Sequence, residues 1–214
     1  MMMRKAIVCS IAFVTLTACG SINQNAPVTT LLDRVSAVLG KPEQKPAPAI
    51  TPEILSAGSG NILVAKLVSR NALAALTRVA RDDDTVTWQT PAGASLIFQD
   101  DILIGTRGLG DDLMGVDVTG TRAAIAAGGG TATRNHAFLG SEDQIRNRTA
   151  DCTIAFDKTQ EITTLAGTFN TRKYTETCTG RLALTNSYWV TDGQIVQSLQ
   201  AISLGVGYVL LNPL

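Results

Sequence analysis

The chain has 214 residues, with 18 basic and 18 acidic side chains and one histidine. That balance argues against the basic face that nucleic acid or an anionic lipid surface demands. The length suffices for one domain with a sizeable core.

Arg4 and Lys5 precede an apolar run over residues 6–14, the layout of a secretory signal. A helix over residues 6–17 would rise about 18 Å at about 1.5 Å per residue, against a hydrocarbon core of about 30 Å, which is too short for a stable span. The run ends in Leu16, Thr17, Ala18 and Cys19, which resembles the lipobox of bacterial lipoproteins. The resemblance implies a signal peptide over residues 1–18, a diacylglycerol thioether on Cys19 and an acyl chain such as palmitate on its amine. Two or more chains anchor a protein stably where one binds marginally. Gly20 stands where an Asp would mark inner-membrane retention, which implies the outer membrane. Removing residues 1–18 leaves 196 residues with 16 basic and 18 acidic side chains.

Residues 19–53 read as the lipidated Cys19 followed by a flexible tether containing Pro27, Pro42, Pro46, Pro48 and Pro52. Leu31, Leu32, Val35, Val38 and Leu39 recur at helical spacing within it and predict one short helix. Residues 54–214 read as a β-rich periplasmic domain of many short strands. Residues 62–67, 95–99 and 102–106 are apolar runs bounded by turns, and residues 72–81 fit strand or helix equally by pattern. Asp82, Asp83 and Asp84 predict a hairpin loop, and Val86, Trp88 and Thr90 alternate as a half-buried strand before a turn at Pro91 and Gly93.

The pattern loosens over residues 108–130, with an Ala-rich stretch at 121–127 that suits a helix before Gly128, Gly129 and Gly130. Strand character returns at 152–156, 165–178, 181–184, 188–190, 195–200 and 206–211, with a turn at Asp192 and Gly193. This spacing predicts an all-β fold, mainly an antiparallel sheet forming a curved sheet, partial barrel or sandwich, with one or two short helices. Cys9 goes with the signal and Cys19 with the lipid, leaving Cys152 and Cys178, which secretion makes a disulfide. Metal binding competes, but two distant thiols and one histidine are a poor zinc set.

The string Thr106, Arg107, Gly108, Leu109, Gly110, Asp111, Asp112, Leu113 leaves a strand, and its two glycines permit left-handed backbone. It begins like a dinucleotide fingerprint but has Leu113 where the third glycine belongs, so no cofactor is expected. The bland reading is a strand-exit turn in which Arg107 pairs with Asp111 or Asp112; the functional one is a contact for a partner or glycan. Acid groups at 82–84, 100–101 and 111–112 suggest glycosidase carboxylates only weakly, since acids in turns are usually solvated. His136 has no nucleophile elbow to serve and is expected on a surface loop. Tyr188 and Trp189 are core anchors or a sugar-stacking platform.

The lipobox, Trp88 before its turn, the 106–113 string, Glu176 two before Cys178, Asn186 with Tyr188 and Trp189, and Ser198 with Gln200 together resemble the YjbF/GfcB family of lipoproteins. The resemblance spans most of the chain from Ile62 onward. It implies an outer-membrane lipoprotein with a β-rich periplasmic domain, working beside other envelope proteins of capsule or exopolysaccharide secretion. The function expected is an accessory or assembly factor, not an enzyme, held on the membrane by its lipid and contacting polysaccharide-export proteins or the glycan. The rival readings are a glycan-modifying hydrolase using acids near Asp100, Asp101, Asp111 or Asp112, and a carrier of an apolar ligand.

Overall fold

The computed structural model describes residues 60–139 and 144–213. The signal segment, Cys19 and the tether with its short helix lie outside them. The described chain forms β1 (Ile62–Leu67), β2 (Ala72–Asp82), β3 (Thr85–Gln89), β4 (Ser95–Gln99), β5 (Ile102–Arg107) and β6 (Leu113–Val116). After helix α1 (Thr119–Ala126) come β7 (Gly130–Leu139), β8 (Ile145–Thr164), β9 (Gly167–Gly180), β10 (Leu184–Thr191), β11 (Gln194–Ser203) and β12 (Gly207–Pro213).

The twelve strands make one sheet in the order β5-β4-β3-β2-β1-β12-β11-β10-β9-β8-β7-β6. All its pairings are antiparallel. Every strand neighbours the one before or after it in sequence, and β1 pairs with β12. The result is an up-and-down, nearly closed barrel, open between β5 and β6. The loops therefore alternate between two ends. One end, the mouth, carries the β5–β6, β7–β8, β9–β10 and β11–β12 connections; the other carries α1 and the β10–β11 turn.

The turns follow local chemistry. Asp192 (φ 49°) and Gly193 (φ 78°) form the expected tight hairpin, and Asp100 (φ 47°) and Asp101 (φ 64°) make a second one with both central residues left-handed. Residues 72–81, ambiguous by pattern, are strand: β2 is laddered on both sides, to β1 and β3. Two ladders outweigh helix preferences of a few tenths of a kcal/mol per residue. The helix read at 121–127 is present as α1, which buries Thr121, Ala124 and Ile125.

The sequence pattern places no strand between residues 130 and 151, where the structure has β7 and the first part of β8. The reason is visible in the burial. The inward positions of β7 include Arg134 and His136, and the β8 positions facing Phe138 and His136 are Arg146 and Arg148. Polar residues on the inner face erase the apolar-in, polar-out alternation by which a strand is recognised. Two smaller differences lie at turns: Leu165 and Ala166 belong to the β8–β9 turn, and β10 begins at Leu184.

Two apolar clusters fill the interior. One holds Ile125, Ile154, Tyr174, Tyr188, Val190 and Ile195; the other Leu63, Leu76, Phe98, Leu103, Leu113 and Val209. β7 pairs with β8 up to Ile154, and β10 pairs with β9 up to Arg172. Beyond those residues β8 and β9 pair only with each other, as a two-stranded ribbon of about 20 Å.

Candidate functional site

The 106–113 string is the seam between β5 and β6. Gly108 (φ 80°) and Gly110 (φ 105°) take the left-handed backbone expected of them. Arg107 does not pair with Asp111 or Asp112; its guanidinium donates to the carbonyls of Thr106 (2.6 Å), Leu113 (3.2 Å) and Met114 (3.3 Å). Asp112 is buried and accepts from Thr106 Oγ1 (2.7 Å), Gly108 N (2.9 Å) and Leu109 N (3.2 Å). Thr106 Oγ1 in turn accepts from Leu113 N at 3.0 Å. Farther along the seam Gln200 accepts from Leu103 N at 3.0 Å. Side chains thus satisfy backbone groups that a missing neighbour strand would have bonded, which protects both sheet edges.

Inside the barrel Glu176 is wholly buried. Its Oε2 accepts from Arg134 Nη1 (2.7 Å), Asn186 Nδ2 (2.7 Å) and Tyr188 OH (2.8 Å), and its Oε1 from Thr121 Oγ1 (2.6 Å). Asn186 Oδ1 accepts from Ala201 N at 2.8 Å, tying the network to β11. Burial alone would raise the Glu176 pKa, but the Arg134 charge and these hydrogen bonds hold it below its ordinary value. Burial and the neighbouring Glu176 raise that of Tyr188.

His136, expected on a surface loop, is instead 2% exposed on β7. Burial, and then the Arg134 charge, lower its pKa to about 4, so it is neutral near pH 7. Its Nδ1 and Arg134 Nε have no hydrogen-bond partner among the described residues. Its ring stacks on Phe138 at a centroid separation of 5.7 Å.

Cys152 and Cys178 face each other across β8 and β9 and form the expected disulfide, with sulfurs 2.00 Å apart. Their sulfurs and the Glu176 carboxylate lie within 4.8 Å of one another, but disulfide sulfurs offer no thiolate to a metal.

Tyr188 and Trp189 do not make a platform together. Adjacent strand residues point to opposite faces: Tyr188 is fully buried on Glu176, while Trp189 is half-buried with Lys173 Nζ 5.6 Å from its ring centroid. The structure brings Arg107, Asp111 and Asp112 together at the mouth, away from Tyr188.

The mouth holds a groove of about 350 Å³ lined by Asp111, Phe138, Arg146, Arg148, Arg181 and Leu204, among others. The sequence reading singled out only Asp111 of these. The signal it passed over is the i, i+2 spacing of Arg146 and Arg148, which puts two guanidiniums on one strand face. Asp111 is committed to the fold, since its Oδ2 accepts from Gly205 N (3.0 Å) and its carbonyl from Ser203 Oγ (2.7 Å).

Fold and interior define the class: an all-β, up-and-down, nearly closed barrel with a buried ion pair and a disulfide inside it. The chain belongs to the group 4 capsule polysaccharide lipoprotein family, GfcB/YjbF, whose sequence profile matches residues 31–214. Its fold is similar to the crystal structure of the hypothetical lipoprotein YmcC from Escherichia coli (K12). The TM-score is 0.64 at 19% identity, over 89% of this chain and 96% of that one. A comparison with curated proteins gives no match. The family ties the chain to the cell envelope and to capsule polysaccharide.

Proposed function

We propose that this protein is an outer-membrane-anchored periplasmic lipoprotein that acts as an accessory or assembly factor in capsule or exopolysaccharide export. The observation that carries the reading is the family match over residues 31–214. The Cys19 lipobox supports it by supplying an anchor on the envelope, with residues 1–18 as the signal and 19–53 as the tether. Export proteins or the glycan itself are the proposed partners.

The rival readings fit the geometry less well. Asp100 and Asp101 lie at the opposite end of β5 from Asp111 and Asp112. Six strand residues put the two groups about 20 Å apart, beyond the roughly 5 to 9.5 Å that lets two carboxylates flank one glycosidic bond. An apolar cavity lined by Leu67, Leu76, Leu96, Leu109 and Val209 measures about 70 Å³, far below the roughly 300 Å³ at which small-molecule sites begin.

The test is polysaccharide secretion in cells carrying Cys19→Ala, with protein level and location measured alongside. Loss of secretion with the protein released from the outer membrane is expected. Full secretion from an unanchored protein would overturn the anchored reading.

A further inference from the structure

We infer that the barrel end opposite the mouth carries a saccharide-binding groove, with Arg172 and Asp192 as the residues that bond a sugar's hydroxyls. The inference rests on the export reading above for the source of the sugar and on the groove's own geometry for the site.

Helix α1, β9 and β10 enclose a groove of about 300 Å³, the size at which small-molecule sites begin. Its floor is apolar: Ile125, Tyr174 and Val190 are 4%, 3% and 8% exposed. Polar groups stand around that floor on all three elements. Arg122 on α1 is committed to the fold, since its Nη2 donates to the Gly193 carbonyl at 3.3 Å and so ties the helix to the β10–β11 turn.

Arg172 is held in a different way. Its guanidinium carbon lies 5.0 Å from the centroid of the Phe156 ring and 5.6 Å from that of Tyr174. Two rings fix the cation, yet its N–H groups bond no described residue. Arg172 faces Val190 across the ladder, and Asp192 follows two residues later in the turn. The Asp192 carboxylate likewise bonds no described group, and it pairs with neither arginine of the groove. A pinned donor fork and an open acceptor therefore share one apolar-floored groove.

Opposite charges that share a groove without pairing suit a neutral ligand that both accepts and donates. A sugar does so. One hydroxyl oxygen accepts from the Arg172 fork and a neighbouring hydroxyl donates to Asp192, both charge-assisted bonds. The C–H face of the ring then lies on Ile125 and Val190. An anion fits worse, because the unpaired Asp192 carboxylate repels it and Arg122 already serves a carbonyl.

The experiment is calorimetric titration of the full chain in detergent micelles. The probe is oligosaccharide cut by mild acid from the polysaccharide that the protein's own cells secrete. The same oligosaccharide with its carboxyls reduced to alcohols, and a series of salt concentrations, serve as the other arms. Saturable binding that survives carboxyl reduction and changes little with salt is expected. Arg172→Lys keeps a cation over the rings and loses the fork. Asp192→Asn loses the charge and still accepts the left-handed backbone found there, φ 49°. Each should lower affinity about tenfold, the size of one charge-assisted hydrogen bond. Arg181→Gln, at the mouth, should leave affinity unchanged. Arg172 and Asp192 are both exposed, so both variants should fold, which thermal unfolding checks. Absence of saturable binding, loss of binding on carboxyl reduction, unchanged affinity in both folded variants, or an equal loss in Arg181→Gln would overturn the inference. Sugar binding by a protein whose Cys19→Ala cells secrete normally would keep this site and remove only the anchored export reading. No binding, with secretion lost in those cells, would remove the site alone.

Discussion

Arg134 and Glu176 meet at 2.7 Å inside the barrel, with 3% and 0% of their side chains exposed. Desolvating two charges costs several kcal/mol each, and the pair is tolerable because Thr121, Asn186 and Tyr188 also bond the carboxylate. Removing one partner leaves the other charge buried and unpaired. Glu176→Ala is expected to cost about 3 to 5 kcal/mol in denaturant unfolding. The double variant Arg134→Met with Glu176→Leu should cost less than Glu176→Ala alone, because no charge then remains inside. A double-mutant cycle with additive costs would show that the pair is not coupled.

Acid should destabilise the domain in two overlapping stages. His136 titrates at about 4 in the folded protein against about 6.5 unfolded, so the unfolded chain binds more protons between those values and stability falls with pH across them. The full loss is about 3 kcal/mol. Glu176 has a lowered folded value, so its contribution is present above the unfolded value near 4.5 and is lost as pH falls through the folded one. Thermal unfolding from pH 7 to 3 measures both. His136→Phe should flatten the curve between about pH 6.5 and 4 and leave the steeper fall below it, whereas an unchanged slope would place the titration elsewhere.

The disulfide closes a segment of 26 residues between Cys152 and Cys178. In the chain-entropy account such a cross-link stabilises by roughly 3 to 4 kcal/mol. Replacing both cysteines with Ala is expected to lower the unfolding free energy by about that amount. Equal stability of the oxidised and double-Ala proteins would show that the ladder already restrains these residues in the unfolded chain.

What the sequence made legible follows local periodicity. β3 announced itself through Val86 and Trp88 in alternation, and the Asp192-Gly193 turn through its chemistry. The pairing of Cys152 with Cys178 followed from counting cysteines. The interior network was illegible because Arg134, His136 and Glu176 look like surface residues in any strand pattern, and only tertiary contact reveals their partners. Arg107 illustrates a different limit. Its nearest acids in sequence, Asp111 and Asp112, are taken by backbone groups, so charge complementarity pointed to the wrong acceptors.

The seam supplies a last prediction. A barrel opened between β5 and β6 exposes backbone groups on two edge strands, and such edges recruit other strands. Asp112 bonds two backbone amides and the buried Thr106 hydroxyl from a position 7% exposed, so Asp112→Ala leaves one buried donor and two partly buried ones without their acceptor and is expected to cost about 2 kcal/mol. Arg107 is exposed, and water can replace its bonds to the carbonyls of Leu113 and Met114. Arg107→Ala should therefore cost about 1 kcal/mol and act mainly on the edge, as faster amide exchange at residues 113–116. Hydrogen exchange of the two variants separates the roles: Asp112→Ala should loosen the whole 106–113 string, and Arg107→Ala the β6 edge alone. Identical patterns in the two variants would mean that the seam opens as one unit, with Arg107 as much a part of its closure as Asp112.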